Sequence, residues 1–119
     1  MSAIIVLTDR HRYFLYTQPA DMRKSFAGLC GIVNNIMQLP ISDNDVFVFL
    51  NRDFTHLKLL LHESAGFTLL CRRLDKGRFK VPDPGIISGP LKLSAAEVIA
   101  LIKGLTFYRH NGNKNPPAE

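Results

Sequence analysis

Five consecutive residues, Val46-Phe47-Val48-Phe49-Leu50, are all apolar, and four of them are β-branched or aromatic. So short a run reads as a strand that is apolar on both faces, which belongs in the middle of a sheet. Residues 57–62 and 67–72 read as two more strands. Glu63-Ser64-Ala65-Gly66 turns between them, with Gly66 able to take a positive φ, and this is the clearest hairpin in the chain. The aromatic and aliphatic residues 12–17 form another strand, and residues 3–7 and 78–81 are further candidates.

Two helices complete the pattern. Asp21 is a good N-cap, and Met22, Phe26, Leu29, Cys30, Val33, Ile36 and Met37 recur at spacings of three and four. That periodicity predicts a long helix over residues 22–38, ended before Pro40. Ser94 and Glu97 form an S-x-x-E capping box, and the helix it opens runs to Lys103, with Gly104 as its stop. Pro82, Pro84, Gly85, Gly89 and Pro90 mark a loop. The expected fold is α+β, a mainly antiparallel sheet of about four to five strands with a long N-terminal helix and a shorter C-terminal helix. Residues 1–108 are expected to form a single domain, and residues 109–119 a disordered tail.

Charge narrows the function. The 119 residues carry fifteen Lys and Arg against ten Asp and Glu, net +5. Arg72-Arg73-Leu74-Asp75-Lys76-Gly77-Arg78-Phe79-Lys80 alone holds five cations and one anion, with Leu74 and Phe79 interleaved. A structured basic stripe is the electrostatic footprint of a polyanion binder, nucleic acid before an anionic membrane surface. Arg73, Lys76, Arg78 and Lys80 sit where a strand leaves the hairpin and turns at Gly77. Arg23 and Lys24 open the long helix, where cations oppose the dipole; with Ser25 they suit a phosphate. Asn51, Arg52 and Lys58 follow the central strand and offer contacts to bases or phosphates.

Catalytic signatures are missing. There is no GxSxG or Walker loop, and His11, His56, His62 and His110 have no metal-ligand spacing. Asp21, Asp45, Glu63 and Asp75 each have a turn or capping explanation. No catalytic residue, metal or cofactor is therefore assigned. Cys30 and Cys71 read as small buried hydrophobes in a reducing cytoplasm. No apolar run in the sequence is long enough to span a bilayer, and the expected location is cytoplasmic.

Taken together, the motifs resemble a family. Asp21-Met22-Arg23-Lys24-Ser25-Phe26 with Gly28-Leu29 is similar to the opening signature of the small TnpB-type accessory proteins of the insertion-sequence-sixty-six (IS66) class. Val46-Phe47-Val48-Phe49, Asn51-Arg52 and Leu57-Lys58-Leu59-Leu60 resemble its central block. Gly66-Phe67, Arg73-Leu74, Gly77-Arg78-Phe79 and Pro82 resemble its closing block, and Leu93-Ser94-Ala95-Ala96-Glu97 its last helix start. The likeness covers residues 12–105. It implies a bacterial accessory role in transposition beside a larger transposase, without catalysis by this chain. Expected partners are DNA, whether element ends or any duplex, and the element-encoded transposase, with self-association left open. The basic residues Arg23, Lys24, Asn51, Arg52, Lys58, Arg72, Arg73, Lys76, Arg78 and Lys80 are the expected DNA contacts. The alternative is a protein–protein adaptor that docks the transposase and never touches DNA. Asp53 and Phe54 stand where the family usually has further basic residues, Leu61 and Val81 stand where an aromatic is common, and there is no Trp; these departures weaken the expectation of base stacking and of strong contact near residue 53.

Overall fold

The computed structural model describes residues 7–38, 40–81 and 90–105. One five-stranded sheet organises them: β1 (Arg12–Leu15), β2 (Asp45–Leu50), β3 (His56–Glu63), β4 (Gly66–Arg73) and β5 (Leu91–Leu93). Its spatial order is β4-β3-β2-β1-β5. β1 and β2 run parallel, and the other three pairings are antiparallel. Helix α1 (Phe26–Gly31) joins the parallel pair, and α2 (Ala95–Ile102) follows β5.

β2 is buried at all six positions, because alternate side chains feed two separate cores. Val46, Val48 and Leu50 join Leu57, Leu59 and Leu61 under α2, with Val98 and Leu101 packed on them. Phe47, Phe49 and Leu60 face the other way and pack against Leu29, Ile32 and Val33. Truncating a ring such as Phe47, fully buried, would cost about 3–5 kcal/mol. The start of the parallel pair is tied by charge. Asp45, with no exposure, accepts from Arg12 Nε at 2.7 Å and Nη2 at 2.8 Å, and from the Ser42 amide at 2.8 Å.

The long N-terminal helix expected over residues 22–38 is not formed. α1 has only six residues, and Ile32–Met37 continue it as a wider π-helix that ends at Gln38 in the left-handed region. Residues 21–25 are not helical at all. The carbonyls of Met22 and Lys24, which a helix would pair with amides four residues on, accept instead from Lys58 Nζ at 2.6 and 2.8 Å. Asp21 accepts from the amide of Arg23 in an Asx turn rather than capping a helix. Gly28 and Gly31, with the β-branched and Asn residues after them, weaken the helical preference further. Phe26, expected on the apolar face, is 45% exposed.

The hairpin pairs residues 56–63 with 66–73, one residue longer at each end than its apolar pattern. Its turn uses Ser64 (φ 53°) and Ala65 (φ 59°), whereas Gly66 pairs with Glu63 as the first strand residue. Two successive positive φ values give the twist that suits a two-residue hairpin loop. The capping box closes as expected, Glu97 N to Ser94 Oγ at 3.1 Å and Ser94 N to Glu97 Oε1 at 2.8 Å, and Gly104 leaves α2 with φ 74°. Residues 78–81 form no strand. β5, which no local sequence pattern announces, forms the edge of the sheet beside β1. Cys71 is exposed and Cys30 half-buried, so neither is the fully buried residue expected. The candidate strand over residues 3–7 lies almost wholly outside the described residues. So do most of the loop over 82–90, His110 and the tail over 109–119. No helix among the described residues is long and apolar enough to cross a membrane.

Candidate nucleic-acid interface

Strand directions bring the separated cations together. β1, β2 and β4 end, and β3 begins, on the same side of the sheet. The segment after β1 stays there, because the Ala20 amide donates to the Leu50 carbonyl at 2.9 Å. The segment after β4 also stays, since the amides of Leu74 and Phe79 donate to the carbonyls of Thr55 and Phe54 at 3.0 and 2.7 Å. Among the described residues that end therefore collects Arg23, Lys24, Arg52, Lys58, Arg72, Arg73, Lys76, Arg78 and Lys80 against three carboxylates, Asp21, Asp53 and Asp75. Lys103 joins them, because the next residue, Gly104, lies beside Leu74. The opposite end carries Asp9, Asp43, Asp45 and Glu63, with Arg10 and Arg12.

The basic end has three parts. The first is the loop from β2 to β3. Asn51 Oδ1 accepts from the amides of Thr55 (2.9 Å) and His56 (3.0 Å), and its Nδ2 donates to Thr55 Oγ1 at 3.0 Å. Nδ2 also lies 3.1 Å from His56 Nδ1. The side chain of Asn51 is thus engaged in holding the loop, which presents Arg52 to solvent.

The second part is the loop over residues 21–25. Arg23 forks onto Asp21, with Nε at 3.0 Å and Nη2 at 2.8 Å, and its side chain remains 92% exposed. Those hydrogen bonds hold the Asp21 carboxyl down at about 2 from its usual 3.8. Lys58 fastens this loop to β3 through its two carbonyl contacts. Its ammonium is occupied by backbone, and Lys24 is exposed beside it.

The third part runs from β4 through residue 80. Arg72 pairs in register with Leu57 and Arg73 with His56, so the two arginines leave opposite faces of the edge strand. Gly77 turns the chain at φ 77°. Phe79, 3% exposed, anchors the segment in the α2-side core, and Arg78 and Lys80 on either side of it are exposed. None of Arg52, Arg72, Arg73, Lys76, Arg78 or Lys80 has an ion pair among the described residues.

Two features of this end escape sequence reading. Phe54 is 40% exposed and sits at φ 58°, a rare conformation for an aromatic residue. An aromatic within a polar turn, Asn-Arg-Asp-Phe-Thr, was the available signal. Lys103 joins only through tertiary packing and had none. At the other end, His11 Nε2 lies 3.9 Å from Glu63 and His62 Nδ1 lies 3.4 Å from Asp43. Among the described residues no group of three or more His, Cys, Asp or Glu could hold a metal ion.

Comparison with known proteins follows the same lines. The model of a family described as IS66 Orf2 like protein (TnpB_IS66) matches residues 11–112. A protein of Sinorhizobium fredii (strain NBRC 101917 / NGR234) named Uncharacterized protein y4hO is 32% identical over 99 residues, covering 83% of this chain and 84% of the relative. A second from that strain, Uncharacterized protein y4jC, is 29% identical over 98 residues, covering 82% of each. No solved structure matches the chain.

Proposed function

The chain belongs to the family of IS66 Orf2-like proteins, and we propose that it is a non-catalytic accessory factor of transposition that holds DNA through the basic end of its sheet. The accessory association with transposition comes with the family. The DNA contact is our reading, and one observation carries it: cations far apart in sequence converge at one end, and six of them have no ion-pair partner among the described residues. Unpaired cations on a folded surface are free to displace the counterions of a phosphate backbone. Arg52, Arg73, Lys76, Arg78 and Lys80 make the phosphate contacts, and Lys24 adds to them. Arg72 and Arg73 leave opposite faces of β4, so the strand approaches edge-on with one arginine on each side. Asn51 and Lys58 act on the loops that carry these cations. Arg23 remains a candidate through the guanidinium donors that Asp21 leaves free. The element's transposase is the proposed protein partner, met in the bacterial cytoplasm.

The test is a duplex-binding titration with Arg73→Ala/Arg78→Ala. Affinity for an element-end duplex and a scrambled duplex should fall alike. The slope of log K against log salt should flatten by about two, because each neutralised phosphate contributes about 0.9. An unchanged slope would remove both residues from the interface. A transposase complex that survives high salt and nuclease treatment, with no duplex binding, would favour the adaptor reading instead.

A further inference from the structure

We infer that the basic end receives an unpaired DNA strand, with one base stacked on Phe54 in the cleft at the carboxyl ends of β1 and β2. This rests on the DNA-binding reading and specifies its substrate. The first observation is the cost of placing Phe54. A bulky residue at φ 58° is strained, and such strain persists only where the surroundings impose it. Here the surroundings are the Asn51 side chain, the Phe54 amide on the Asn51 carbonyl (3.2 Å) and the Phe79 amide on the Phe54 carbonyl (2.7 Å). They hold the ring 40% exposed rather than burying it.

The second observation is what the ring faces. Phe54 lines an open cleft of about 190 Å³ with Tyr16, Pro19, Leu50, Val81 and Leu91. An apolar space of about 150 Å³ takes a benzene ring, so one base fits. The cleft lies where the two parallel strands end. The third observation is charge. Arg52 shares the loop of Phe54, and Arg78 and Lys80 flank the residue bonded to its carbonyl; all three are exposed and have no ion pair among the described residues. An apolar slot beside free cations complements a base with its phosphates, and stacked bases are available only where a strand is unpaired.

The experiment is fluorescence anisotropy with a labelled blunt duplex and the same duplex bearing a single-stranded overhang. The expected result is tighter binding of the overhang by the unaltered protein. Phe54→Ala should lose about tenfold or more of overhang affinity and leave the blunt duplex unchanged. Phe54→Tyr should retain the preference. Phe54→Gly, which relieves the backbone strain, should fold normally and still lose it. Equal binding of the two DNAs, or an equal loss on both in Phe54→Ala, would overturn the inference while leaving DNA binding intact. Absence of salt-dependent binding to either DNA would overturn the reading beneath it as well.

Discussion

Replacing Lys58 with methionine separates two roles that the sequence alone does not distinguish. As a phosphate ligand, Lys58 would add about 0.9 to the salt slope of DNA binding. Its Nζ instead bonds the carbonyls of Met22 (2.6 Å) and Lys24 (2.8 Å), across more than thirty residues of sequence. Hydrogen bonds to a charged donor are worth about 1.5–3 kcal/mol each, less where water competes. The Lys24 contact is exposed and the Met22 contact only partly buried, so about 2 kcal/mol is expected for the pair. Methionine keeps the aliphatic stem and removes both bonds. Urea unfolding should show a stability loss of about 2 kcal/mol, with Tm lower by about 8 °C for a domain this size. The salt slope of duplex binding should stay as it was. A loss below about 0.5 kcal/mol together with a slope flatter by about 0.9 would refute this reasoning and return Lys58 to the phosphates.

Other outcomes follow from local geometry. An NMR titration of the Asp21 carboxyl should give a midpoint of about 2, and Arg23→Ala should return it towards 3.8. A folded value below the unfolded one contributes stability above pH 4, and that contribution is lost as pH falls from about 4 to about 2. An unaltered protein titrating at 3.8 would deny the Arg23 fork. Asp45→Ala should cost about 3 kcal/mol, the lower end for a broken buried pair, because Arg12 is half exposed and can rehydrate. A cost under about 1 kcal/mol in denaturant unfolding would show that Asp45 does not tie the parallel strands. Ala65→Gly relieves a positive φ of 59° and should stabilise by about 0.5–1 kcal/mol. A lower urea midpoint would contradict the turn geometry.

Strands were legible in the sequence wherever apolar residues alternated or ran together. β2 and the hairpin follow from Val46 to Leu50 and from the leucines of β3, whose burial depends on local periodicity. Met22 and Phe26 fit the spacing of a long helix that does not form. No local pattern reveals that Lys58 captures the carbonyls such a helix would need. β5 has only three residues, too few to carry a period. For the interface, the stripe of Arg72 to Lys80 was visible as composition. Its union with Arg52 and with the loop at residue 23 depends on strand direction, which composition does not encode. The amide of Asn51 has the chemistry of a base contact, but it is directed to its own loop.

The most direct measurement is NMR chemical-shift mapping on the isotope-labelled protein as a short duplex is added at low salt. The amides of residues 51–55 and 72–80 should shift, and those at the opposite end, residues 43–46 and 62–66, should stay in place. Shifts confined to the acidic end, or none at either end, would contradict the assignment of the basic end as the DNA-binding surface.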